Sequence, residues 1–197
     1  MTDVTAGVRE ARATELERLG SDRGLLALTD ADLSGETIRA RLAASALAVA
    51  AVLESWREED GPAGDAFAET AARNRDHAET IAPGATAAEA DPVAEALSSH
   101  PETAARIGAG LVGYPLVADG RYLQAVSFFV NEADEASADE FRTVRTETSE
   151  ALDTAAALLD EDDADAAEAA AIAVIDEAYE AYVESLDAMG LDPKTVC

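Results

Sequence analysis

The stretch ETAARNRDHAETIA, residues 69–82, reads as a helix carrying one histidine, His77, three residues after Asn74. Spacing of i, i+3 puts the two on one helix face. A glutamate at 74 would make this Glu-x-x-His, the pair with which helical bundles hold two bridged metal ions. In such a site carboxylates neutralise and bridge the metals, and each imidazole adds a ligand. Asparagine at 74 removes the bridging carboxylate. The remaining acids and histidines therefore decide between a metal site, the remains of one, and an ordinary helix.

The other chemistry is thin. No histidine follows His100, so a second Glu-x-x-His is absent from the second half. Glu54, Glu69, Glu177 and Glu180 are the acids that would have to serve with His77 in an enzyme. Glu177 and Glu180 have the right spacing but no histidine. Runs such as Glu54, Glu58, Glu59 and Asp60 are dense, yet dense acids are expected on every solvated face of this chain. No G-x-S-x-G nucleophile elbow occurs. Cys197 allows no intramolecular disulfide and no cysteine pair for zinc, and a terminal thiol is a poor catalytic platform. Arg39, Arg41 and Arg57, with Arg73 and Arg75, form the one arginine cluster, read as salt-bridged surface. Gly108, Gly110 and Gly113 have no preceding strand and no following GK[ST], so they indicate close helix packing rather than a phosphate loop.

The elements that carry these residues are helical throughout. Alanine is abundant, aromatics are 5%, and alternating β-branched runs are nearly absent. A first helix is expected over 3–19, then a short turn through RGLLALTDADL, with Thr29 and Asp32 at capping-box spacing and Ser34 as the next N-cap. The helix over 35–58 has an inward stripe of Ile38, Leu42, Ala46, Val49, Leu53 and Trp56. A turn at 58–65 leads to an antiparallel helix over 65–82, with Phe67, Ala71, Asn74, Ala78 and Ile81 on one face. Asp91-Pro92 and His100-Pro101 read as helix starts. Tyr122, Phe128 and Phe129 supply aromatic core. A helix over 137–159 presents Phe141, Val144, Thr148, Leu152, Ala155 and Leu159. The last, over 165–189, presents Ile172, Ile175, Tyr179, Tyr182 and Leu186, and Gly190 stops it. One all-helical domain over 1–197 is expected.

FAETAARNRDHAETIA, with the preceding LESWREEDGPAGDAFA, resembles the first helical hairpin of rubrerythrin-like, ferritin-like proteins. Phe67, Glu69, Thr70, Ala71 and His77 match that pattern. The resemblance covers residues 34–82, with 101–190 as the second half of the bundle. It implies a four-helix-bundle core with extra short helices and, in the family, a di-iron or di-manganese centre. Here the ligands are degenerate. Asn74 stands at the ligand glutamate, and the glutamate of the first helix falls near Ala46, in AASALAVAA. His77, Asn74 and Ala46 are thus vestigial-site positions, and the expectation is no metal and no cofactor, with iron or manganese as the alternative.

Acidic residues outnumber basic ones 41 to 14, for a net charge of -27, and Lys194 is the one lysine. With 48% apolar residues the chain is not the composition of a disordered protein. At molar salt the Debye length shrinks to about 3 Å and self-repulsion is largely screened, so the source is expected to be an extreme halophile, a haloarchaeon. Phosphate binding falls steeply with salt, which disfavours nucleic acid. The N-terminal MTDVTAGVREARATELERLG lacks an apolar h-region, and LAASALAVAAVL is too short to span a bilayer. A cytoplasmic protein is expected. Its function is read as that of a non-catalytic bundle acting through a protein partner or self-association. The alternatives are a divergent di-metal oxidoreductase or peroxidase, and an antitermination-like helical regulator. A cavity left by the lost metals would also admit a small molecule.

Overall fold

The structure is a computed structural model that describes residues 3–59 and 61–193; Asp60, Lys194 and Cys197 lie outside the described residues. The described residues are helical with no strand. In chain order the elements are α1 (Val4–Ala11), α2 (Ala13–Leu19), α3 (Asp22–Leu28), α4 (Gly35–Ser55), α5 (Pro62–Ile81), α6 (Pro92–Ser98) and α7 (Thr103–Ile107). A π-helical segment (Gly108–Gly113) follows, then α8 (Tyr114–Asn131), α9 (Glu135–Leu158) and α10 (Ala164–Ala188).

Local signals set the starts. Ser34 accepts a hydrogen bond from the Thr37 amide at 3.2 Å and opens α4. Asp91 accepts from the Ala94 amide at 2.9 Å, with Pro92 at the first position of α6. Gly61, at φ 79°, turns the chain into α5 ahead of Pro62. The inward stripe of α4 is buried from Ile38 to Leu53, and Trp56, capping its end, is buried too. So is the Phe67–Ile81 face of α5.

Short loops pair α4 with α5 and α8 with α9, and α5 also touches α9. Helix α7, the π segment and α8 follow one another without a break and form one long rod. Its glycines face both ways. A Cβ on Gly108 would lie 2.0 Å from the Ala167 carbonyl oxygen, and one on Gly113 would lie 2.8 Å from that of Ala171, so α10 is pressed backbone to backbone against the rod. On the other side, a Cβ on Gly110 would meet Leu53 of α4 and Trp56 just past its end, at 2.8 and 3.1 Å. Helix α10 packs on the rod with α1, α2, α3 and α6, away from α4 and α5. One hydrophobic cluster runs from Val4 to Leu186, and in it Phe129 stacks on Phe141 with centroids 5.5 Å apart.

Several expectations are corrected. The first helix is broken at Arg12 (φ -127°, ψ 30°), whose guanidinium pairs with Asp176 of α10 at 2.5 Å. RGLLALTDADL holds helix α3 rather than a turn, with Leu25 buried. The Thr29/Asp32 box does not form: the Thr29 hydroxyl donates to the Leu25 carbonyl at 2.8 Å, and Asp32 accepts from the Thr37 hydroxyl at 2.7 Å. His100-Pro101 starts no helix; α7 begins two residues later, after Glu102. Helix α4 ends at Ser55 and α5 starts at Pro62. Phe128, Leu152, Leu159, Ile172 and Tyr179 are half-buried, at the margin of the core.

Candidate functional site

Asn74, His77 and Thr148 are buried polar side chains, 2%, 3% and 4% exposed. The first two lie one turn apart on α5, and the third lies on α9, the helix packed against it. The Asn74 carbonyl oxygen accepts from the Tyr114 hydroxyl at 3.2 Å. Tyr114 reaches it because the π segment delivers it inward at the first position of α8. His77 Nε2 lies 2.8 Å from a carboxylate oxygen of Glu147, which is half-exposed at the rim beside Thr148. A carboxylate accepts, so Nε2 carries the proton and Nδ1 points inward as a bare acceptor. His77 Nδ1, Asn74 Nδ2 and Thr148 Oγ1 are all sealed from solvent without a hydrogen-bond partner.

The electrostatics favour neutral forms. Burial lowers the His77 pKa, opposed by the hydrogen bond and charge of Glu147. Burial, reinforced by the neighbouring Tyr122, pushes the Tyr114 phenol well above its ordinary value, and burial raises Tyr122 as well. Ala46 is 1% exposed and lines a cavity of about 10 Å³ with Ser45, Tyr114 and Tyr122. That is about the volume of one water-sized probe. Tyr114 thus links two of the three positions: it donates to Asn74 and lines the small cavity with Ala46, while His77 turns to Glu147.

A bridged pair of irons or manganeses takes four carboxylates and two imidazoles. The residues here do not fit it. Asn74 offers a neutral amide already bonded to Tyr114, Ala46 a methyl group and Thr148 a hydroxyl. Among the described residues no three histidine, cysteine, aspartate or glutamate side chains converge on one point. Glu54 is held by Arg57 and Arg75 at 2.7 and 3.1 Å, and Glu69 is exposed against Arg73 at 3.1 Å. Glu177 and Glu180 are exposed on α10, which does not pack on α5. The arginine cluster is spoken for: Arg39 pairs with Glu140, Arg41 with Asp30, and Arg73 also with Glu150.

Tyr114, Tyr122 and Glu147 were not singled out from the sequence as site residues. Tyr114 is signalled only by its place after the glycine run, and Glu147 only by its adjacency to the inward Thr148. No helix among the described residues is long and apolar enough to cross a membrane. No protein-family model, curated protein or solved structure matches this chain.

Proposed function

We propose that this chain is a non-catalytic bundle of ferritin-like type, working in the cytoplasm of a halophile, in which a neutral polar network occupies the place of a di-metal centre. The observation that carries this reading is the Tyr114–Asn74 hydrogen bond beside a neutral His77. Buried polar groups of this kind fix packing; they bring neither the negative charge nor the open coordination positions that metal catalysis needs. The pairing of α4 with α5 and of α8 with α9 supports the bundle, with α10 and the short helices added outside it. The acidic surface supports the halophilic setting. Function then rests on binding. A protein partner or a second copy would meet the outer side of α8, where Leu123 and Val130 lie two turns apart and are exposed. The test is peroxide and oxygen consumption after incubation with iron(II) or manganese(II) in molar KCl. The expected rate is that of metal in buffer, and unchanged in His77→Ala. Turnover above buffer that disappears in His77→Ala would establish the oxidoreductase instead.

A further inference from the structure

A cleft of about 570 Å³ opens between α3, α4, α8, α10 and the 86–92 connection. Its size lies within the range of small-molecule sites. Much of its wall is apolar, including Leu19, Ala27, Leu28, Ala44, Ala178 and Ala181. Two polar groups in that wall are unused. Arg121 is half-buried, and among the described residues no carboxylate lies within ion-pair distance of it. By contrast, Arg39, Arg41 and Arg145 each hold a carboxylate. Ser45 is 6% exposed, and its hydroxyl has no hydrogen-bond partner among the described residues. Both residues also line the small cavity beside Ala46, which places them next to each other.

The acids at the wall narrow the ligand. Asp30 holds Arg41 at 2.7 Å, Asp91 caps α6, and Glu89 is exposed. A dianion would face all three. A single planar carboxylate matches the guanidinium fork, and its hydrocarbon body would cover the apolar wall. We infer that this cleft binds a small monocarboxylate with an apolar body, its head on Arg121 and Ser45. This extends the binding reading to a ligand class, and it stands or falls independently of metal content. A half-buried guanidinium is screened less by molar salt than a surface one.

The test is calorimetric titration of the full chain in molar KCl with octanoate, octanamide and octyl phosphate. Octanoate is expected to bind saturably at one site. Octanamide, and octanoate to Arg121→Gln, should bind about tenfold more weakly or worse. Ala181→Phe, which fills the cleft, should abolish binding. If Arg121→Gln loses its helical circular dichroism, the octanoate–octanamide difference on the unmodified chain decides. No saturable octanoate binding, equal binding of octanoate and octanamide, or tighter binding of octyl phosphate would each overturn the inference.

Discussion

Proton placement at His77 has a measurable consequence. Its folded pKa lies below the ordinary 6.5 because burial disfavours the imidazolium. As pH falls, the unfolded chain therefore takes up the proton first. The stability tied to His77 is complete above about pH 6.5 and is lost below it, toward the folded pKa. His100 is shifted the same way by burial and adds to the slope. Denaturant unfolding in molar KCl should show a less stable protein at about pH 5.5 than at 7.5, with a smaller difference in His77→Gln. An undiminished difference in that variant would place the titration elsewhere. The Tyr114–Asn74 bond makes a second prediction. Tyr114→Phe and Asn74→Leu should each cost about 1–2 kcal/mol by stranding the other partner, and the double variant should cost clearly less than the sum. Strict additivity would mean that the two groups are not coupled. Helical spacing made Ala46 and Asn74 legible as inward positions, and His77 was tied to them by its i, i+3 step from Asn74 and by the resemblance. Their partners were not legible. Tyr114 reaches Asn74 across 40 residues, and an acid such as Glu147 carries no signal in a chain so rich in acids.

Among the helices, the rod from α7 to α8 sets the geometry, because its glycines let α10 lie against it with no side chain between. Gly108→Ala would drive a Cβ into the Ala167 carbonyl, and no flexible side chain is there to yield. Urea unfolding should show a loss of about 3 kcal/mol or more. Gly61→Ala, at φ 79° and ψ -155° with open space around it, should lose less, about 1–3 kcal/mol, from backbone strain alone. The reverse order would contradict the close approach of rod and α10. The glycine spacing forecast that approach but not its π-helical form. Helices α4 and α5 were legible because their inward stripes persist for about four to five turns. Helix α3 was not: seven residues show no clear period, and α3 is held by packing on α8 and α10. The break at Arg12 was equally hidden, since the Asp176 carboxylate that pairs with it lies 164 residues away.

Across the molecule, the net charge makes stability a matter of salt. A net charge of -27 repels itself over about 10 Å at 0.1 M salt but over only about 3 Å at 1 M. The melting temperature should therefore rise from low to molar KCl, and a flat or falling profile by circular dichroism would remove the halophilic reading. The resemblance to ferritin-like proteins was carried by the 34–82 hairpin. Whether its interior holds metal is a matter of donors, and the buried polar side chains of α5 and α9 are Asn74, His77, Thr70 and Thr148, with no carboxylate among them. The decisive measurement is metal content by mass spectrometry on protein purified in molar KCl without chelators. The polar-network reading predicts iron and manganese far below one equivalent per chain. Two irons or two manganeses per chain would contradict it.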